Sequence, residues 1–248
     1  MSNPFSLENK TILVTGASSG IGRATAIECA KMGATVIITG RNAPRLNETF
    51  LQLVGENHLQ FTADLTVEKD RDFLIENLLK LDGVVHCAGI TKTLMFQFVD
   101  EQSLVEVMNV NFVAPTLVSA RLVEEKKLKK GSSIVFISSI SGTVCVMGGN
   151  SCYSASKGAV NGVMKNMALD LAAKGIRVNS VNPGMIDTHI FDGGLIGTEQ
   201  LAEDAKRYPL KRYGKPEEVA YAAVYLLSDA AEWVTGTSLL IDGGYTLQ

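Results

Sequence analysis

Short β-branched runs alternate with segments of helical periodicity from near the start of the chain. Thr11-Ile-Leu-Val-Thr15 and Thr35-Val-Ile-Ile-Thr39 carry apolar residues on both faces, and residues 20–32 between them repeat their apolar positions at helical spacing. The same reading predicts a helix at roughly 43–54, a strand near His58–Thr62, a helix near 67–80 and a strand at Gly83-Val-Val-His86. Helical patterns run through 100–130, followed by a strand at Ser133–Ser138, a helix at 151–173 and a strand at Ile176–Val181. The tail, Val234–Gly244, adds one more strand and a turn. Strands without a polar face need cover on both sides, and joined by helices they predict an α/β fold around a parallel sheet.

No Pro/Ser-rich linker, charge block or low-complexity tract divides the 248 residues, so one domain spanning 1–248 is expected. Residues 187–213 break the rhythm, with Gly193-Gly194, Gly197 and Pro209 amid weak helical patterns. This segment reads as a substrate lid or as an ordinary long surface connection. Hydrophobic residues at 46% and charged residues at 20% exclude the composition of a disordered chain. A net charge of −3 supplies no basic face for phosphates, which excludes nucleic acid as the expected partner. Cys29, Cys87, Cys145 and Cys152 form no CxxC pair and no ligand spacing with the three histidines, so no metal and no disulfide framework are expected. Met1–Lys10 lacks a basic segment followed by an apolar run, and no later stretch reads as long and uninterrupted enough to span a bilayer. A cytoplasmic protein with reduced thiols and no membrane partner is the expectation.

The first strand runs directly into Thr15-Gly-Ala-Ser-Ser-Gly-Ile-Gly22 and then a helix, the setting that a phosphate-binding loop requires. Gly16, Gly20 and Gly22 let backbone amides approach a pyrophosphate at the positive end of the helix, flanked by Ile21 and the hydroxyls of Ser18 and Ser19. The second strand ends Thr39-Gly40-Arg41, without the carboxylate that would bind a ribose 2′-hydroxyl and repel a 2′-phosphate. Arg41 offers a donor fork suited to that phosphate, or is a solvated loop arginine. NADP(H) is therefore expected over NAD(H).

Tyr153-Ser-Ala-Ser-Lys157 opens a helical segment, and the four-residue separation puts both side chains on one face. A phenol of pKa about 10 needs a nearby cation to act as a base near neutrality, and Lys157 supplies one. Standing alone, the pair would read as an amphipathic helix face. Ser139 closes the fifth predicted strand, where residues line the crevice of an open α/β sheet and can stabilise a developing oxyanion; Ser138 and Ser141 are rivals.

The Gly-x3-Gly-x-Gly spacing, Ser139 and Tyr153-x3-Lys157, in this order, resemble the short-chain dehydrogenase/reductase family, and the pattern is most similar to its 3-oxoacyl-acyl carrier protein reductases. The resemblance implies a single doubly wound Rossmann-type domain with a central parallel seven-stranded sheet, usually assembled as a homotetramer. It implies a catalytic set of Asn111, Ser139, Tyr153 and Lys157, with Asn111 distorting a helix, Asn109 as a decoy, and Lys157 also holding the nicotinamide ribose. Asp64 and Leu65 would meet the adenine, although Asp64 also suits the N-cap region of the next helix. Ala88 and Gly89 would pass the ribose, and Pro183, Gly184, Ile186 and Thr188 would form the turn around the nicotinamide carboxamide. His86-Cys-Ala-Gly89 departs from the Asn-Asn-Ala-Gly of relatives, and His86 reads as structural.

Three functions remain open: reduction of a carrier-protein thioester, oxidation of a small polyol, sterol or other secondary alcohol, and a catalytically silent NADP(H)-binding sensor. Lys126-Lys-Leu-Lys-Lys130, with Lys174 and Arg177, suits either an acidic carrier protein or a solvated helix end. The partner expected is a small-molecule or carrier-protein-bound carbonyl substrate.

Overall fold

The computed structural model describes residues 3–188 and 198–248. Seven strands, β1 (Thr11–Thr15), β2 (Thr35–Gly40), β3 (Leu59–Thr62), β4 (Leu81–His86), β5 (Leu128–Ile137), β6 (Arg177–Pro183) and β7 (Ser238–Ile241), form one parallel sheet in the order β3-β2-β1-β4-β5-β6-β7. Alternation along each strand explains the double cover. Ile12, Val14, Val36 and Ile38 enter one core layer beneath α1 (Gly20–Lys31) and α8 (Pro216–Leu227), while Leu13 and Ile37 enter the other. That second layer packs on α3 (Glu68–Glu76), α5 (Ala114–Glu124) and α6 (Ser151–Ala172). Each fully buried aliphatic side chain contributes about 1.5–3 kcal/mol, so the strand ends that carry the polar loops are firmly placed.

The strand order reverses between β1 and β4, which lie side by side although β2 and β3 separate them in sequence. At such a reversal the loops leave the sheet in opposite directions and open a crevice at the carboxyl ends. Thr15, Gly40, His86, Ile137 and Pro183 stand at those ends.

Several boundaries differ from the sequence expectations. The helix expected at 43–54 is α2 (Ala43–Phe50), capped by the Asn42 side chain on Arg45 N at 3.0 Å. The helical stretch expected to reach 130 comprises α4 (Glu101–Met108), a five-residue π turn at Asn109–Val113, and α5, which ends at Glu124. That Glu101–Glu124 helix is long and apolar enough to meet the criterion for a membrane span, contrary to expectation, but Val107, Ala114, Val118 and Leu122 on it are buried in the protein.

Lys126–Lys130 is consequently a turn entering β5 rather than a helix end, because pairing of Leu128 with Leu81 of β4 overrides local propensity. Lys127 Nζ bonds the carbonyls of Glu76 and Leu78 (3.3 and 2.8 Å), and Lys129 pairs with Asp82 at 2.7 Å. Arg177 does not join a basic rim either. Its guanidinium bonds the carbonyls of Leu226, Val234 and Ser228 (2.8, 3.4 and 3.3 Å). Of the segment expected as a lid, 189–197 lies outside the described residues; α7 (Thr198–Ala205) and the chain to Tyr213 follow it.

Candidate active site

A cleft of about 1380 Å3 follows the carboxyl ends of the strands and is lined at one end by the glycine loop and at the other by Ser139, Tyr153 and Lys157. The glycine loop is tight for a steric reason. Gly16 has φ +66°, and a Cβ there would meet the Ala88 backbone at 2.6 Å; one on Gly22 would stand 2.2 Å from Gly16 O. Ser19 precedes α1 in extended conformation without a side-chain cap, which leaves the first-turn amides of that helix for another acceptor. Ser18, Ser19, Gly20, Ile21, Leu65, Ala88 and Gly89 all line this half.

Arg41 is exposed at the adenosine end, with a guanidinium nitrogen 3.9 Å from Asp64 Oδ2. Asp64 does not cap α3, which begins after Val67 without a side-chain cap. Its carboxylate instead accepts the amide and hydroxyl of Thr66 at 3.0 and 2.7 Å. Burial pushes the Asp64 carboxyl up, but the Thr66 bonds and Arg41 outweigh it and hold the group below its ordinary value.

At the chemical end, Tyr153 and Lys157 project from the first turns of α6, with Lys157 Nζ 5.6 Å from the centre of the Tyr153 ring. Lys157 is buried, donates to Ile137 O at 2.8 Å, and is brought down to about 8 by desolvation, with Cys87 acting in the opposite sense. Burial also raises the Tyr153 phenol, opposed by a hydrogen bond with the Ser139 side chain. The rival serines are occupied elsewhere. Ser138 Oγ accepts from Asn161 Nδ2 at 2.5 Å and donates to Lys157 O at 3.2 Å, while Ser141 Oγ pairs with Ser154 Oγ at 2.8 Å.

Asn111 is buried inside the π turn, whereas Asn109 is exposed. Its Oδ1 accepts from Ile90 N at 2.8 Å, and its Nδ2 donates to Ile90 O at 2.9 Å and Ser156 Oγ at 3.0 Å. The widened turn thus ties the loop after β4 to the turn of α6 that carries Tyr153. Beyond β6, Pro183, Gly184, Ile186 and Thr188 line the cleft, and a bridge from Ile186 to Gly214 fixes their course. Thr188 Oγ1 is buried without a hydrogen-bond partner, and its methyl lies 3.4 Å from where a Cβ on Gly20 would stand. An orphaned hydroxyl beside the glycine loop, uncapped helix amides and a cradle that excludes side chains fit a dinucleotide.

His86 lies behind this site. Its Nε2 meets Ser119 Oγ at 2.8 Å, its ring stacks on Phe136 at 4.9 Å, and desolvation lowers it to about 3. A depressed folded-state value adds stability that is complete above the unfolded value of about 6.5 and is lost as pH falls toward 3. Moving from pH 7 to pH 5 should remove about 2 kcal/mol through this group. Urea unfolding of the parent and of His86→Asn at both pH values checks this: the pH-dependent difference should shrink in the variant, and equal pH dependence would reject the assignment.

Sequence patterns did not point to the groups that hold these side chains. Asn161, Asn182 and Ser180 form a buried network beside the Ser138 hydroxyl, joined by the exposed Ser238, with contacts of 2.5–3.2 Å. Arg23 bonds Ser18 O at 2.8 Å and Thr49 Oγ1 at 3.0 Å, clamping the glycine loop to α2. Most of these partners lie far apart in sequence, as Asn161 and Ser238 or Arg23 and Thr49 do. Among the described residues no group of three or more His, Cys, Asp or Glu is placed to hold a metal ion.

Residues 16–246 match the family described as Enoyl-(Acyl carrier protein) reductase. A 3-oxoacyl-[acyl-carrier-protein] reductase of Thermotoga maritima is 36% identical, covering 97% of this chain and 99% of that protein. The chain belongs to the short-chain dehydrogenase/reductase family. The corresponding Rickettsia prowazekii enzyme is 34% identical over 96% of this chain and 97% of its own length. Among solved short-chain dehydrogenase/reductase structures, a putative NAD(P) dependent gluconate 5-dehydrogenase from Beutenbergia cavernae with bound NADP aligns with a TM-score of 0.89, at 32% identity, covering 99% of this chain and 100% of that one. The protein is thus an NAD(P)-dependent oxidoreductase of this family, with the family's seven-stranded α/β fold.

Proposed function

We propose that this protein reduces a carbonyl to a secondary alcohol with NADPH, and that 3-oxoacyl thioesters, free or carrier-bound, are the substrate class to test first. The observation that carries the reading is one cleft joining Arg41 and the glycine loop to a buried Ser139 and Lys157 and a half-buried Tyr153. NADPH, when bound, supplies the hydride. The glycine loop would receive its pyrophosphate, Arg41 its 2′-phosphate, Asp64 and Leu65 its adenine, Ala88, Gly89 and Lys157 its riboses, and the 183–188 turn its carboxamide.

Ser139 then holds the substrate oxygen as negative charge grows on it. Tyr153 donates the proton, and its raised value keeps the phenol protonated near neutrality. The Lys157 ammonium stabilises the phenolate that remains. Asn111 acts from behind, by fixing the turn of α6 through Ser156. With both Tyr153 and Lys157 present, a silent cofactor sensor has no support from the site. The similarity to 3-oxoacyl-[acyl-carrier-protein] reductases favours the thioester reading over an alcohol dehydrogenase. NADPH oxidation measured with acetoacetyl and longer 3-oxoacyl thioesters, free ketones and sugar acids decides the matter: turnover should be fastest with a thioester, and a preference for a sugar acid would overturn it.

A further inference from the structure

The C-terminal tail is held in a way that ordinary chain ends are not. The Asp242 carboxylate accepts Gly244 N, Thr246 N and Thr246 Oγ1 at 3.0, 2.9 and 2.7 Å, and Gln248 Nε2 reaches Arg207 O at 2.6 Å. These bonds set Tyr245 against Tyr208, ring centres 4.8 Å apart, with the Arg207 guanidinium 5.7 Å from the Tyr245 ring on its other contact. Tyr208 is itself anchored at the chemical end of the cleft. Its hydroxyl accepts Met185 N at 3.1 Å, and a Cβ on Gly184 would come within 3.3 Å of its ring, so glycine there makes room for it. Tyr208 therefore bridges the turn after β6 and the tail, and both tyrosines, with Asp204 and Met147, line the cleft beyond Ser139.

We infer that Tyr245, seated on Tyr208, is a specificity-determining residue: the protein's own C-terminal tail forms the wall against which the group attached to the carbonyl packs. The inference rests on the proposed carbonyl reduction and deepens it. Half-buried against Tyr208 and Arg207, the Tyr245 ring gives the cleft a mostly apolar wall, and Tyr208 fixes its distance from the nicotinamide turn. Asp204 does not compete as a charged anchor, because its carboxylate is already taken by Tyr213 Oη at 2.9 Å and Arg207 at 3.1 Å.

The test compares the parent with Tyr245→Ala and Tyr245→Phe on the substrate panel, alongside NADPH binding by fluorescence. Tyr245→Ala should raise KM for the preferred substrate about tenfold, the loss of one good aromatic contact, with kcat and NADPH affinity held within about twofold. The penalty should grow with the size of the group beside the carbonyl, and Tyr245→Phe should behave as the parent. A tail that served only as a structural tie would lower Tm and weaken NADPH binding together with KM, and that outcome overturns the inference, as does an unchanged KM across the panel. Should Tyr245→Ala fail to fold, Tyr245→Leu, which keeps aliphatic contact with Tyr208, is judged by the same criteria. A parent that reduces nothing on the panel with NADPH overturns the carbonyl-reductase reading and this inference with it; an active parent matched by its variants overturns this inference alone.

Discussion

Tyr153→Phe should lower kcat for carbonyl reduction by about a hundred- to ten-thousand-fold while leaving NADPH affinity within about twofold. The substitution removes one oxygen and keeps the ring, so the packing of Lys157 at 5.6 Å from the ring centre survives. What disappears is the proposed proton donor. Burial keeps that phenol protonated, and its hydrogen-bond partner Ser139 is too weak an acid to take over its role. Single-turnover mixing of enzyme, NADPH and substrate isolates the chemical step. Retention of more than about a tenth of the parent rate would reject Tyr153 as the donor.

The second large effect concerns the cofactor. Arg41→Ala should weaken NADPH binding by about 10- to 150-fold, the worth of one charged hydrogen-bonding contact of about 1.5–3 kcal/mol, and leave NADH binding nearly unchanged. Arg41 is exposed and makes only a 3.9 Å approach to Asp64, so its removal should alter fold stability by less than about 0.5 kcal/mol. Titration of both cofactors against parent and variant supplies the comparison. A parent that binds NADH more tightly, or a variant that loses both cofactors equally, would remove Arg41 as the 2′-phosphate ligand.

Much of the architecture was legible because its determinants are local. Ile12, Val14 and Leu13 announce a doubly covered strand by composition alone, and the glycine spacing from 16 to 22 reports a backbone crowded by Ala88 and by itself. Tyr153 and Lys157 were legible for the same reason, since helical periodicity alone places them one turn apart. The limits of that legibility are equally specific. Helical propensity through Lys126–Lys130 gave way to pairing with β4, and Arg177, read as a surface cation, is consumed by three carbonyls around it. Sequence also could not show that the hydroxyls of Ser138 and Ser141, the rivals of Ser139, are bonded to Asn161, Lys157 and Ser154.

Sequence by itself determined the strand and helix succession, the glycine-rich loop after β1, the missing acid at Gly40 and the tyrosine–lysine pair, because each depends on periodicity or on residues within a few positions of one another. Tertiary structure alone decided the π turn that aims Asn111 at Ile90 and Ser156, the desolvation that brings Lys157 down to about 8, and the tail that carries Tyr245 to Tyr208. Those features depend on burial and on partners tens of residues away, and such contacts exist only once the sheet has brought the chain together.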